Sequence, residues 1–171
     1  KFTQSEKTTD ELSNNVKKFF LTKKIWCASS THDLEEKICG NIHKKLKIKY
    51  KNLLTVIIPR HIHRIKKITR ELKEMNLKIH LHGSKNRIDK KTDIYLVNSF
   101  GQTQSFFKTC KTVFLGGSII EHGGQNPLEA AKHGCQILHG KNIWNFKEIY
   151  NLLEVHKVSY KITTSNQLAQ K

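Results

Sequence analysis

Proline, glycine and long apolar runs are all scarce in this sequence of 171 residues. The 2 prolines and 9 glycines are too few for a collagen-like repeat or a proline-rich linker. The longest apolar run, residues 53–58, is far shorter than the ~18 residues that a membrane-spanning helix needs. No signal-peptide core is visible. With 37% hydrophobic and 26% charged residues, the composition indicates a folded, globular domain.

Paired cysteines are also lacking. Cys27, Cys39, Cys110 and Cys135 are widely spaced and include no CxxC pair. This spacing predicts buried free thiols in a reducing compartment, and neither a disulfide framework nor a cysteine-based metal site.

Acidic residues are outnumbered by basic ones. The chain has 31 Lys and Arg against 14 Asp and Glu, a net charge of +17 with His neutral. Such an excess attracts polyanions, which include nucleic acids, phosphorylated substrates and anionic membrane surfaces. Coding bias towards lysine, spread over solvated faces, accounts for the same numbers, so the charge alone does not identify a partner.

Short apolar runs alternate with stretches of helical period. The runs predict strands at 24–28, 53–58, 78–82, 93–98, 112–115 and 136–138. The periodic stretches predict helices at 34–46, 63–75, 103–109, 127–133 and 146–155. A polar leading segment, 3–15, is not assigned to an element. The alternation predicts an α/β fold with a doubly wound, mostly parallel sheet in one domain, 1–171.

Ligands of such sheets bind at the carboxyl ends of the strands. The loops expected there are 28–33, 59–61, 98–102 and 116–126, and all of them are polar or glycine-rich. We therefore expect the functional residues in these four loops.

The most informative segment is GGSIIEHGGQNPLE, residues 116–129. Its four glycines permit close backbone approach to a ligand. The end of the segment predicts a helix start, with Asn126 as N-cap, Pro127 first and Glu129 third, as in a capping box. Glu129 then either caps its own helix, or accepts hydrogen bonds from a ribose while the helix N-terminus receives a phosphate.

Two other loops offer phosphate-binding groups. Arg60 follows the most apolar strand, and its guanidinium suits bidentate phosphate contacts, although a plain surface arginine is the alternative. The hydroxyl-rich segment 29–33 precedes Glu35 and Glu36, which predicts mainly helix capping and an acidic first turn. The same hydroxyls are able to contact a phosphate or a sugar.

Several common sites are not supported. His61 with His63 and His80 with His82 have alternate spacing but no third ligand, so we expect no metal site. The sequence has no G-x-S-x-G elbow, no G-x-G-x-x-G and no P-loop. These absences disfavour a serine hydrolase, a dinucleotide site and a P-loop NTPase.

Five motifs occur in order along the chain. They are WCASSTH at 26–32 with the two glutamates that follow, IPRH at 58–61, GGS at 116–118, HGGQNPLE at 122–129 and NFKEI at 145–149. Together they resemble the motifs of one family, the bacterial 3-deoxy-D-manno-octulosonic acid (Kdo) transferases of lipid A core assembly, over the C-terminal half of those proteins. The resemblance runs from about residue 1 to about residue 149.

The resemblance implies the C-terminal, Rossmann-like lobe of a GT-B glycosyltransferase, which binds CMP-Kdo as donor substrate without a metal or cofactor. The implied CMP contacts are Pro59, Arg60, Phe100, Gly101, Gln102, Asn126, Pro127, Leu128 and Glu129. Further implied donor contacts are Ser30, Thr31, Gly117 and Ser118. Family members usually carry Asp-Thr near Asn98-Ser99 and Glu where Gln102 stands. An amide cannot replace a charged carboxylate acceptor, so the nucleotide contact implied for the loop 98–102 departs from the family pattern.

The resemblance also implies inverting transfer of Kdo to the lipid A precursor, at the cytoplasmic face of the bacterial inner membrane. The general base and the acceptor groove would belong to an N-terminal acceptor domain outside these residues, so we expect nucleotide binding without turnover. The expected partners are CMP-Kdo, the lipid A precursor, that N-terminal domain and the anionic inner-membrane surface.

Two alternatives stay open. One is another GT-B transferase domain that uses a different nucleotide sugar. The other is a basic nucleic-acid-binding module with the lysine-rich stretch 44–51 as its patch. Nucleic acid is the less expected partner, because Tyr50 is the one aromatic residue among those lysines and a stacking platform requires several.

Overall fold

A seven-stranded sheet organises residues 11–163, the part of the chain that this computed structural model describes. The strands are β1 (Lys24–Thr31), β2 (Leu53–Pro59), β3 (Ile79–Leu81), β4 (Ile94–Leu96), β5 (Thr112–Leu115), β6 (Gln136–His139) and β7 (Ser159–Lys161). The helices are α1 (Asn14–Leu21), α2 (Glu35–Lys49), α3 (Ile65–Glu74), α4 (Thr103–Phe107), α5 (Leu128–Lys132) and α6 (Lys147–Val155). Short 3-10 turns precede α3 and α6 at Ile62–Arg64 and Trp144–Phe146.

The strands lie in the order β3-β4-β2-β1-β5-β6-β7, and every neighbouring pair is parallel. The chain builds one half of the sheet on one side of β1, with β4 between β2 and the edge strand β3, and then returns to build the other half from β5. The strand order therefore reverses between β1 and β5, where ligands of doubly wound sheets bind. The predicted α/β class with a doubly wound parallel sheet is confirmed.

Strand side chains alternate between two apolar cores. In β2, whose seven residues are all buried, Leu54 and Val56 belong to the core beneath α1, α4, α5 and α6. Leu53 and Ile57 belong to the core beneath α2 and α3. Because both faces of a parallel sheet are covered, its strands are continuous apolar runs, which is why β2 was visible in the sequence.

All the predicted strands and helices form, with their ends shifted by a few residues. Two elements were not predicted. Helix α1 overlaps the segment 3–15 that was left unassigned, of which 3–10 lies outside the described residues, and it buries Val16 and Phe20. Strand β7 has three residues at the sheet edge, too few for a clear alternation.

The thiols are buried and free, as predicted: Cys27, Cys39, Cys110 and Cys135. Burial raises the pKa of Cys135 to about 11, so this sulfur stays protonated near neutral pH. No helix within residues 11–163 combines the length and apolar character needed to cross a bilayer.

Candidate functional site

The loops after β1 and β5 meet where the strand order reverses. Gly116 N donates to Ser29 O at 2.8 Å. Strand β1 then bulges at Ser30, where φ is 56° and the register with β2 shifts. A Cβ on Gly116 would overlap Ser30 O and lie only 2.7 Å from Thr31 Cα, so only glycine fits here. The bulge and the glycine hold the two loops against each other.

A buried carboxylate, Glu35, links these loops. Its oxygens accept hydrogen bonds from the N–H groups of Gly117 (2.8 Å), Ser118 (3.2 Å), Ile119 (3.1 Å) and His32 (3.0 Å). Burial raises the pKa of Glu35, and the four N–H donors oppose that rise. We call the loop 116–126 the glycine loop. Three of its amides therefore donate to a carboxylate of the protein itself.

Helix α2 is not capped by the hydroxyls of 29–31, so that prediction is wrong. Thr31 Oγ1 donates to Glu36 at 2.9 Å, and Ser29 Oγ is buried without a partner among the described residues. Leu34 occupies the cap position with φ 76° and no side-chain cap. The physical reason is that the Thr31 hydroxyl donates to Glu36 instead of capping the helix. The Glu35 carboxylate accepts from the N–H of His32, just before the helix.

Arg64, which the sequence did not single out, supports the same loops from the side of α3. Its guanidinium donates to both oxygens of Glu36 at 2.9 and 3.0 Å and to Asp33 at 2.9 Å. Lys67 also contacts Asp33, at 2.8 Å. Because Glu36 is only 1% exposed, this bidentate contact neutralises a buried charge.

Arg60, the predicted phosphate contact, lies at the end of β2 and is exposed. Its backbone N–H donates to Thr31 O at 2.9 Å, which places it beside the bulge. Within residues 11–163 its guanidinium has no hydrogen bond or ion pair. Pro59 is buried and pairs with Thr31 in the sheet register. Arg60 thus offers a positive charge that the protein leaves unpaired.

Four imidazoles gather at the same edge; we call His32, His61, His63 and His122 the histidine cluster. Ring centroids lie 4.0 Å apart for His32 and His122, and 5.6 Å apart for His32 and His61 and for His61 and His63. The side-chain nitrogen of Gln125 lies 3.3 Å from Nε2 of His32. Sequence reasoning treated only the His61 and His63 pair, and the positions of the other two depend on loops that are distant in sequence.

One member of the cluster, His32, has a strongly shifted pKa. The pKa of His32 is lowered to about 4, first by burial and then by its basic neighbours His122, His61, Arg64 and Arg60. This imidazole is therefore neutral near pH 7.

The loop 116–126 is also held from its other side. Asn142, Asn145 and Tyr150 donate side-chain hydrogen bonds of 2.8 to 3.2 Å to carbonyl oxygens of this loop. A Cβ at Gly117, where φ is 67°, would lie 3.1 Å from the ring of His122. These hydrogen bonds anchor the loop where it borders the histidine cluster.

The predicted helix start is shifted by one residue. Helix α5 begins at Leu128, with Pro127 in the cap position and no side-chain cap. Asn126 Oδ1 accepts from Leu128 N at 3.0 Å, in a turn just before the helix. The reciprocal capping-box bond is absent, since the half-buried Glu129 carboxylate has no hydrogen-bond partner among the described residues. Pro127 is buried, and Leu128 is exposed. Glu129 is thus available to a ligand.

The polar groups of the other predicted donor contacts are mostly engaged. Thr31 Oγ1 binds Glu36, and the amides of Gly117 and Ser118 bind the Glu35 carboxylate. Ser118 Oγ donates to a carbonyl at 2.5 Å and accepts from Gly140 N at 2.9 Å. Their contact with a donor, like that of Ser30 at the bulge, stays a prediction.

The loop after β4 faces a different space. Phe100 is exposed, Gly101 has φ 75°, and the side chain of Gln102 hydrogen-bonds that of His82. Gln102, His82 and Tyr95 line a cavity of about 1050 Å³ beside α1. The contact of this loop with a nucleotide stays a prediction.

No group of three or more His, Cys, Asp or Glu side chains within residues 11–163 is arranged to hold a metal ion.

The chain is similar in sequence to several curated proteins, although no protein-family model matches it. The 3-deoxy-D-manno-octulosonic acid transferase of Haemophilus influenzae is 33% identical over 122 residues, 71% of this chain and 29% of that protein. That of Rickettsia felis is 34% identical over 115 residues, 67% and 25%. The bifunctional glycosyltransferase/methyltransferase of Fusobacterium nucleatum is 29% identical over 161 residues, 92% and 24%. The chain spans less than a third of the length of these relatives.

Solved structures share the fold. The C-terminal CMP-Kdo binding domain of WaaA from Acinetobacter baumannii has a TM-score of 0.84 at 22% identity, covering 91% of this chain and 81% of that one. The molybdenum cofactor carrier protein MCP from Chlamydomonas reinhardtii has a TM-score of 0.50 at 10% identity, covering 87% and 99%. These matches confirm the Rossmann-like α/β class that the resemblance implied.

Proposed function

Because this chain belongs to the family of 3-deoxy-D-manno-octulosonic acid transferases, we propose that it is the part of such an enzyme that binds the donor CMP-Kdo. One observation carries the proposal. Where the strand order reverses, the exposed guanidinium of Arg60 and the carboxylate of Glu129 are both left without partners among the described residues. The named ligand of the structurally similar A. baumannii domain supports the same donor.

The two unpartnered groups suit the two polar parts of a nucleotide. Arg60 presents five N–H donors in a planar fork, which matches a phosphate. The Glu129 carboxylate accepts hydrogen bonds from the two ribose hydroxyls, and Asn126 keeps that helix start in place. We assign Pro59, Phe100, Gly101, Gln102, Pro127 and Leu128 to the rim of the bound nucleotide, with Ser30, Thr31, Gly117 and Ser118 nearer the sugar.

The donor is a substrate in this proposal, and no metal or other cofactor takes part. Departure of CMP leaves negative charge on its phosphate, and the guanidinium of Arg60 meets that charge as it develops. Attack by the acceptor hydroxyl from the opposite side of the sugar inverts the anomeric centre. It needs a general base within hydrogen-bond reach.

We place that base, with the acceptor groove, in an N-terminal domain of the complete enzyme. The proposed acceptor is the lipid A precursor at the cytoplasmic face of the inner membrane. There the basic surface of this chain would be attracted to anionic lipid, and each lysine or arginine near the surface adds ~1 kcal/mol.

Thermal unfolding with and without CMP tests the donor site. A ligand at a hundred times its Kd stabilises a protein by about 2.7 kcal/mol, so we expect CMP at that concentration to raise the Tm by roughly 5 to 10 °C. Arg60→Ala and Glu129→Ala should each abolish most of this shift. Arg70→Ala and Glu74→Ala, which replace exposed residues of α3, should retain it. Equal shifts in all four variants would refute the assignment of Arg60 and Glu129.

A further inference from the structure

We propose that the histidine cluster, together with Arg60, is the subsite for the phosphate of the nucleotide, and that phosphate binding draws protons onto its imidazoles. This inference rests on the proposed function and names the groups that hold the charged part of the ligand.

The glycine loop is not available to a phosphate. Its amide groups at Gly117, Ser118 and Ile119 already donate to the buried carboxylate of Glu35. A phosphate in that position would have to displace an internal anion or lie against it, and both are unfavourable. The phosphate must therefore bind elsewhere along the edge where the carboxyl ends of the strands lie.

The start of α5 offers little more. Pro127 has no N–H group, and the N–H of Leu128 donates to Asn126 Oδ1 at 3.0 Å. The helix itself has only 5 residues, which makes its dipole weak. The loop amides that face Glu35 are therefore occupied, and the first turn of α5 carries the Glu129 carboxylate, which repels a dianion.

The histidine cluster has no hydrogen-bonded counter-charge among the described residues. The charged groups around it come from the loop after β1, from α2, from the loop after β2 and from the loop after β5. They are Asp33, Glu35, Glu36, Arg60, Arg64 and Glu121. Glu36 and Asp33 are bound to Arg64, Glu35 is bound to amides, and Glu121 is exposed and hydrogen-bonds none of the four imidazoles. No carboxylate within residues 11–163 hydrogen-bonds an imidazole of the cluster.

Burial and the close approach of other basic groups lower the pKa of His32 in the free protein. With centroids 4.0 Å apart, His32 and His122 cannot both carry a charge without strong repulsion, and Arg60 and Arg64 add to it. A bound phosphate dianion offsets this repulsion and favours the protonated form of the rings. Binding of the dianion and uptake of protons are therefore linked.

The direction of the pH dependence follows. The lowered pKa of His32 leaves this ring neutral at pH 7 in the free protein. A bound dianion raises imidazole pKa values, so CMP affinity should increase as the pH falls from about 8 to about 6.5. Below about pH 6 the phosphate itself takes up a proton, and the increase should level off.

Calorimetric titration of the chain with CMP at pH 7.5 tests the inference, in HEPES and in Tris. The two buffers differ in ionisation enthalpy, so the difference in heat counts the protons exchanged. We expect uptake of roughly half a proton or more per CMP, and none with cytidine, which lacks the phosphate. His122→Gln should lower the uptake and weaken CMP binding about tenfold.

His156→Gln is the matched control, since it replaces an exposed histidine at the other end of the sheet, after α6. It should leave CMP binding and proton uptake unchanged. His122 is exposed, so its replacement should leave the fold intact, as circular dichroism would verify. CMP binding without proton uptake, or unchanged in His122→Gln, would overturn the subsite and leave the proposed function standing. An absence of CMP binding would overturn both.

Discussion

Glu35 determines the local shape of the site although it is not exposed to a ligand. A carboxylate that is 0% exposed would be costly if it were unpaired, and here four backbone N–H groups surround it. One of those groups precedes α2 and three belong to the loop after β5. Glu35 therefore holds together two segments that are 82 residues or more apart in sequence, and it leaves side chains to bind a ligand.

Gly116 lies against the backbone of β1, with no room for a side chain. A Cβ at this position would overlap the backbone oxygen of Ser30, which cannot move without disturbing β1. We expect Gly116→Ala to lower the free energy of unfolding by about 3 kcal/mol. Urea denaturation would measure this loss.

Gly134 offers the comparison for that measurement. Its φ is 70°, but a Cβ added there would meet nothing within 4 Å beyond its own chain neighbours. Gly134→Ala should therefore cost only about 1 kcal/mol, from backbone strain alone. Equal losses at the two positions would contradict the close approach of β1 and the loop.

The sequence was informative about residues whose role is local. The start of α5 could be predicted to within one residue, because the contact of Asn126 with Leu128 N spans only two residues. The links from Glu35 to the glycine loop and from His32 to His122 could not be predicted. They depend on which loops the sheet order brings together, and no local pattern encodes that order.

At the scale of elements, α2 and α3 are tied to β1 by a small ionic network. Arg64 holds Glu36, and Glu36 in turn accepts a hydrogen bond from Thr31 at the end of β1. Ion pairs of this kind stabilise little when exposed, but removing one partner of a buried pair leaves an uncompensated charge. The network thus joins the first turn of α2 to the end of β1 and to the turn before α3.

Arg64→Ala should destabilise the fold by removing the partner of Glu36. It leaves the carboxylate of Glu36, 1% exposed, without its counter-charge, so we expect the free energy of unfolding to fall by about 3 kcal/mol. Lys67→Ala removes an ion pair to Asp33 in which both side chains are about half exposed, and should cost less than about 0.5 kcal/mol. Chemical denaturation of both variants checks the difference, and a small loss in Arg64→Ala would contradict the structural role of the network.

Elements were predictable where packing gives a clear pattern. Strand β2 is buried on both faces and reads as a continuous apolar run. Helix α1 follows a polar segment and lacks a side-chain cap, and β7 has only 3 residues, so neither had a signal of its own. Both are stabilised by the sheet and helices that they cover, which the local sequence does not show.

At the scale of the whole molecule, the net charge of +17 is distributed over surfaces with different roles. Near the site, Arg60 is left without a partner within residues 11–163. In the lysine-rich stretch 44–51, Lys47 binds Asp93 at 3.1 Å, and Lys49 lies over the ring of Tyr50. Part of the stretch proposed as a nucleic-acid patch is therefore engaged in contacts at the end of α2, away from the carboxyl edge where the candidate site lies.

The central claim is that this chain binds a cytidine nucleotide at the edge where β1 and β5 end. The most direct test is a calorimetric titration of the unmodified chain with CMP, UDP and GDP in turn. We expect CMP to bind with a Kd below the millimolar range and about tenfold or more tighter than UDP or GDP. The absence of CMP binding at millimolar concentration, or tighter binding of UDP or GDP, would contradict the claim.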